Sequence, residues 1–188
     1  MSDVSDLIGD LRAIWQSQPA QLVRFAERWS KVAGEAETQR LVVDREIQKV
    51  EVHSAGLAAQ EMGLYRMRMS EGLTLLGQAG QDVNGGLRQV APHIAEIRKK
   101  LVQVRNNLGF GVPSVGILAA NNPHPWAWLA AAGLAGLSPL TNLVTEYKHE
   151  MIALAGAMDN ANAKMDVLDE LNTRTGGLLP QPPTITPN

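Results

Sequence analysis

The stretch VNGGLRQVAPHIAEIRKKLVQVRNNL, residues 83–108, places an apolar side chain at every third or fourth position. Steps that alternate between three and four keep side chains on one face of a helix, so the stretch predicts a long helix with a continuous apolar seam. Two other parts of the chain carry ladders of the same kind, with occasional skips. The three ladders are Leu22, Phe25, Trp29, Val32, Ala36, Val43, Ile47 and Val50; Met62, Tyr65, Met69, Leu76, Val83, Leu87, Val90, Ile94, Ile97, Leu101, Val104 and Leu108; and Val144, Tyr147, Met151, Leu154, Met158, Ala161, Met165 and Leu168.

The ladders match one another in reverse order. Trp29 pairs with Val83 in a register where the two residue numbers always add to 112, and Leu101 pairs with Tyr147 in a register where they add to 248. A constant sum is what two facing helices of opposite direction require. The sequence therefore predicts an all-α fold: an elongated antiparallel helical bundle of three long heptad-patterned helices plus a short N-terminal helix.

Prolines and glycines indicate where the helices begin and end. The short helix is expected over residues 3–17, and Pro19 suits the first turn of a second helix that runs to about Val52. Ser54 and Gly56 are the predicted turn residues before a third helix over residues 57–107. Because glycine and proline weaken a helix interior, we expect a bend or break of this helix between Gly85 and Pro92.

The last helix is predicted to start with Ser138 as the N-cap and Pro139 in the first turn, and to run to about Asn172. The predicted bundle domain covers residues 1–174. The proline-rich residues 175–188 are expected to be a disordered tail. A basic group of Arg98, Lys99, Lys100 and Arg105 is placed at the carboxyl end of the third helix, close to Glu146 and Glu150.

Residues 109–137, between the last two long helices, contain no charged residue. Such a connection is too long and too apolar for an ordinary loop of a helical bundle. Three interpretations are open: a cap over the end of the core, a protein interface, or a tip that contacts a membrane. The candidate interaction residues of this apolar tip are Phe110, Val112, Ile117, Leu118, Trp126, Trp128, Leu129 and Leu134.

Motifs for catalysis or for ligand binding are not found in the sequence. The four histidines have no ligand-spaced partners, and no Ser, His and Asp constellation or phosphate loop is present. We therefore expect no enzymatic activity, no metal and no cofactor. The net charge of −2 argues against a nucleic-acid partner.

The segment FAERWSKVA, residues 25–33, resembles the first helix of WXG-type proteins of the type VII (ESX) secretion systems. In that family a Trp-x-Gly turn follows, and here Ser54-Ala55-Gly56 takes its place, before the alanine-rich start LAAQEM of the next helix. Ser54 stands where the family has tryptophan, and the Tyr-x-x-x-Asp/Glu secretion signal is missing after both Tyr65 and Tyr147. The resemblance implies a helical hairpin that is a secretion substrate or partner, and it covers residues 20–107.

These features predict a non-enzymatic protein that acts through helix pairing and an apolar tip, with another chain or with itself. The alternative is a membrane-active protein that inserts residues 109–137, since long helices around an apolar tongue also look like pore-forming toxins of the cytolysin A type. The N-terminus lacks the pattern of a Sec signal peptide. The expected location is secreted or cell envelope without such a peptide, or otherwise cytoplasmic.

Overall fold

The computed structural model describes residues 2–53, 56–111, 137–174 and 176–177. Four helices account for nearly all of them: α1 (Ser2–Gln16), α2 (Pro19–Val52), α3 (Leu57–Gly111) and α4 (Leu137–Arg174). No strand occurs within these described ranges, and the predicted all-α helical bundle is confirmed. Residue contacts divide the chain into two compact units, Met1–Leu22 with Gln89–Leu154 and Val23–Arg88 with Ala155–Asn188.

The predicted helix boundaries are correct to within a few residues. Helix α2 begins at Pro19 and ends at Val52, as the sequence predicts. Helix α3 continues to Gly111, four residues beyond its predicted end. Helix α4 begins at Leu137, so Ser138 lies inside the first turn and is not the N-cap. A difference of one residue at a frayed helix end is ordinary.

Helix α3 contains Pro92 without a break. Of the predicted bend or break between Gly85 and Pro92, the break is therefore wrong, and the bend stays a prediction. Proline removes one backbone hydrogen bond from a helix, but Pro92 is exposed, while Val90, Ala91 and Ile94 are at most 2% exposed on the other side. Packing of this buried face holds the helix together where intrinsic propensity would not.

In the first unit, α1 lies against α3 and α4. Leu11 and Ile14 are fully buried in a core cluster that also contains Leu101. The cluster consists of Leu11, Ile14, Ile97, Leu101, Leu140, Leu143 and Val144, with Tyr147 packed against it. Leu101 and Tyr147 thus share one core, as the 248 register predicts.

In the second unit, α2 and α3 are antiparallel and very close. A Cβ placed on Gly80 would lie 3.1 Å from the backbone oxygen of Trp29 and 3.2 Å from the Cβ of Ala33, and one on Gly77 would lie 3.9 Å from the Cβ of Ala36. These neighbours agree with the 112 register to within one helical turn. Only small residues permit two helix backbones to approach this closely.

Some ladder residues are not in the core. Phe25 is 48% exposed, and the guanidinium of Arg28 lies 5.7 Å from the centre of its ring. The neighbouring Ala26 is fully buried instead. Val50 and Met151 are also exposed, at 50% and 38%. The seams of the ladders are therefore not buried along their whole length, since these three residues are exposed.

Candidate interaction surface

Burial in the second unit ends at one level on all three helices. The last buried residue of α2 is Ala36, the first of α3 is Gly72, and the last of α4 is Asn172. None of the described side chains in residues 37–53 and 56–71 is buried. We call these residues, the far part of the α2–α3 hairpin, the hairpin end.

The hairpin end is exposed because α4 stops beside Gly72. Lys164 of α4 forms an ion pair with Asp82 of α3, and the two helices run in opposite directions. Arg174, the last residue of α4, is ten residues beyond Lys164, which corresponds to residue 72 on α3. Beyond this level, α2 and α3 continue without the third helix.

A glycine pair ends α4 at this point. The N–H of Gly176 donates to the carbonyl of Thr173 at 3.3 Å, and the N–H of Gly177 donates to the carbonyl of Asn172 at 2.9 Å. Both glycines have positive φ, 70° and 83°. This is the Schellman arrangement, which satisfies the last carbonyls and closes the helix.

The face of α3 that α4 covers continues along the hairpin end. Leu64 and Leu57 precede Asp82 by 18 and 25 residues, which is about five and seven helical turns. Both therefore lie on the side of α3 that faces α4 at Asp82. Leu57 is 78% exposed and Leu64 is 49% exposed, so an apolar face is left uncovered where α4 has ended.

This face has heptad spacing. Its positions follow one another by four and three residues and are Leu57, Glu61, Leu64, Arg68, Glu71 and Leu75. We call these six residues the α3 seam. Spacing of this kind aligns a helix face with a second helix over several turns.

Other exposed apolar residues also lie on the hairpin end. On α2 they are Leu41, Val42, Val50 and Val52, with exposed fractions from 46% to 75%, and on α3 Met67 is 61% exposed. An open groove of about 680 Å³ lies between Asp44 of α2 and residues 66–78 of α3. Scattered apolar residues are normal on a surface, whereas a cluster of this size is typical of a contact surface.

The charges of α2 at the hairpin end pair along their own helix. Arg40 donates to Glu37 at 2.7 Å and to Asp44 at 3.1 Å, and Lys49 donates to Glu46 at 2.7 Å. The hydrogen bond from Arg40 holds the pKa of Glu37 below its usual value. On α3, by contrast, Glu61 and Arg68 form no ion pair within the described part of the chain, and both are exposed.

Of the predicted turn residues, Gly56 has a φ of 67°. Such a φ favours glycine, so poor tolerance of a substitution at Gly56 stays a prediction for the mutational test. Next to it, the ring Nδ1 of His53 lies 2.6 Å from the carbonyl of Lys49, and as the N–H tautomer it donates to that carbonyl. Ser54 lies outside the described residues.

The four predicted basic residues do not form one cluster at a helix end. Helix α3 continues to Gly111, so Arg98 and Arg105 lie well inside it and the proposed effect of the helix dipole is wrong. The reason is that the uncharged residues after Asn107 continue the helix for another turn. Instead, Arg98 donates to the carbonyl of Ser17 at 3.1 Å, and Arg105 lies 5.0 Å from the ring centre of Trp15.

The two lysines of this group are also separate. Lys100 pairs with Glu146 at 3.0 Å, as predicted, while Lys99 pairs with Glu96 on its own helix at 3.7 Å. The other predicted acidic neighbour, Glu150, lies 2.9 Å from Nδ1 of His93. These four basic residues therefore support the packing of the first unit and do not converge on a common ligand.

The apolar tip falls almost entirely outside the described residues. Phe110 lies in the last turn of α3, and its side chain is not among those described. The other tip residues, Val112, Ile117, Leu118, Trp126, Trp128, Leu129 and Leu134, lie outside the described ranges, as does most of the tail at 175–188.

Within the described ranges, no group of three or more His, Asp or Glu side chains could hold a metal ion. None of the described helices is long and apolar enough to cross a membrane. No family model, curated protein or solved structure shows significant similarity to the chain. The resemblance to WXG-type proteins accordingly stays a prediction.

Sequence reasoning missed the α3 seam. The signal was present, because the 248 register ends where α4 ends and leaves the α3 residues before about position 74 without a facing ladder. The seam went unnoticed because Glu61, Arg68 and Glu71 interrupt its leucines. A search for continuous apolar spacing identifies core residues. This surface mixes leucines with charged residues, as contact surfaces do, and such a search does not identify it.

Proposed function

We propose that this is a non-enzymatic binding protein whose hairpin end pairs with a helix of another polypeptide through the α3 seam. The observation that carries the proposal is the abrupt end of burial at Gly72, while the apolar face of α3 continues through Leu64 to Leu57. A helix laid on this face would continue the path of α4. At the hairpin end, it would take the place beside α2 and α3 that α4 has along the α3 residues after Gly72.

The energetic support comes from the exposed leucines. Complete burial of a leucine side chain contributes about 1.5–3 kcal/mol, and Leu64 and Leu57 have about half or more of their surface available for this. An amphipathic helix that docks by residues spaced three and four apart is a common mode of recognition. The alternating charges of the seam would orient such a helix.

The resemblance to type VII secretion substrates and partners supports this proposal, because those proteins act by pairing helical hairpins. A location outside the cytoplasm depends on the same resemblance and stays a prediction. The alternative of a membrane-active protein depends on residues 109–137, most of which lie outside the described residues. It also stays a prediction, which vesicle binding by the purified chain would test.

The proposed surface can be tested with a photo-crosslinking amino acid at position 64, introduced in cells that produce the protein. A matched control is position 167 on α4, since Val167 is 45% exposed and Leu64 is 49% exposed. We expect a covalent adduct with a polypeptide from position 64 and none from position 167. Equal or absent adduct formation at the two positions would refute the hairpin end as the binding surface.

A further inference from the structure

We infer that the helix that docks on the α3 seam is the α3 seam of a second copy of this chain, in antiparallel orientation about Leu64. This inference rests on the proposed function and names its partner. The resulting contact would be isologous, with the same surface of each copy facing the other across a two-fold axis.

The charges on either side of Leu64 support a second copy. Glu61 lies three residues before Leu64 and Arg68 lies four residues after it. When two α3 helices cross in opposite directions with Leu64 against Leu64, Glu61 of each copy comes beside Arg68 of the other. One pairing therefore produces two opposite-charge contacts, which flank a leucine contact at the axis.

The state of these side chains in one copy is consistent with this pairing. Glu61 and Arg68 are both exposed and form no ion pair within the described ranges, whereas Arg40 and Lys49 of α2 are paired along their helix. The two charged positions of the seam that lie nearest to Leu64 thus carry opposite signs, at the spacing that its own reverse copy would match. A partner with one dominant charge would not be matched by this arrangement.

The size of the surface sets the strength of the contact. Fifteen residues of α3, 57–71, extend about 22 Å, and two adjacent helices are about 20 Å wide. The footprint of about 440 Å² per copy is below the roughly 800 Å² per partner of a standard stable interface. We therefore expect a weak dimer that forms as concentration rises, not a permanent one.

Charge reversal in the full chain tests the inference directly. Sedimentation equilibrium over a concentration series would compare the wild type with Glu61→Arg, with Arg68→Glu, with the double variant, and with an equimolar mixture of the two single variants. Each single variant places like charges opposite each other twice, so its dimer should weaken at least tenfold. The double variant and the mixture restore both opposite-charge contacts, and both should dimerise like the wild type.

Two controls separate this effect from others. Glu27→Arg makes the same charge change at an exposed position of α2 outside the hairpin end, and it should leave the dimer unchanged. Circular dichroism melting of every variant checks that the fold is intact. A wild type that stays monomeric at all concentrations, single variants that dimerise normally, or a double variant that does not recover would each overturn the inference.

The crosslinking experiment distinguishes this failure from that of the proposed function. An adduct of position 64 with a second copy supports the inference. An adduct with a different polypeptide overturns the inference and leaves the proposed function intact. If position 64 gives no more adduct than position 167, both are refuted.

Discussion

Replacing Gly80 by alanine tests the close approach of α2 and α3. The new Cβ would lie 3.1 Å from the backbone oxygen of Trp29, and 3.2 Å and 3.3 Å from the Cβ and backbone N of Ala33. All three atoms are held by α2 itself, so the helix would have to move away by a few tenths of an ångström. Overpacking of this kind destabilises by about 1–3 kcal/mol.

An opposing effect comes from helix propensity. Alanine is favoured over glycine inside a helix by about 0.8–1.0 kcal/mol. The net expectation for Gly80→Ala is therefore a loss of about 0–2 kcal/mol of unfolding free energy. Gly85 lies in the same helix, and a Cβ there would meet nothing within 4 Å, so Gly85→Ala should stabilise by up to about 1 kcal/mol.

The difference between the two variants is the quantity to measure. It should be about 1–3 kcal/mol by urea unfolding, and each kcal/mol corresponds to roughly 2–4 °C in Tm for a chain of this size. Gly77→Ala is a second control, because its nearest contacts of 3.7 Å and 3.9 Å are ordinary van der Waals distances. If Gly80→Ala were as stabilising as Gly85→Ala, the two helices could not be as close as described.

Three further predictions concern stability. Ile94→Ala should cost about 2–5 kcal/mol in urea unfolding, since Ile94 is only 2% exposed. Gly56→Ala should destabilise by about 1–2 kcal/mol, because the φ of 67° is unfavourable for alanine. Burial raises the pKa of Tyr147 above its usual 10.0, and the negative charge of Asp10 is the second cause. Its contribution to stability is therefore complete below pH 10.0 and is lost as pH rises through the higher pKa of the folded state, so Tyr147→Phe should reduce the loss of stability at alkaline pH.

Each of these has a control. Ile152 is 70% exposed, so Ile152→Ala should change stability by less than about 0.5 kcal/mol. If Ile94→Ala changed stability as little as Ile152→Ala, Ile94 could not lie in the core. Gly9→Ala adds a Cβ in open space without positive φ, which isolates the strain at Gly56. In a Tyr65→Phe background Tyr147 is the remaining tyrosine, and a phenolate absorbance transition with its midpoint at or below pH 10.0 would refute its raised pKa.

Helix boundaries were predictable because they depend on local chemistry. Pro19 suits a first helical turn whatever surrounds it, and Gly56 and Gly176 suit positive φ for the same reason. The antiparallel registers were predictable because matching ladders allow few alternatives. These features need no knowledge of which side chains the rest of the molecule covers.

Tertiary packing decided the features that the sequence did not predict. Glycine and proline in α3 favour a break, but the buried residues around Pro92 outweigh that preference. Phe25 has the spacing of a core residue, yet its ring is half exposed because the fully buried Ala26 occupies the packed side of α2. A ladder specifies a face to within about one residue, and a one-residue rotation of 100° exchanges a core position for an exposed one.

The same apolar ladder is buried in one part of the α2–α3 hairpin and only partly buried in the hairpin end. In the part of α3 that follows Gly72, small residues bring α2 and α3 together and α4 covers the third side. Val83 and Leu87 are therefore at most 4% exposed. In the hairpin end, Ile47 and Tyr65, which the 112 register pairs, are only half-buried. No third helix of the described residues completes their burial there. Two helices alone bury one seam, whereas the α3 seam lies on a second side, where Leu57 and Leu64 stay exposed. Most of the exposed large apolar side chains of the described residues thus lie at one end of the hairpin, which is the reason to look for the binding partner there.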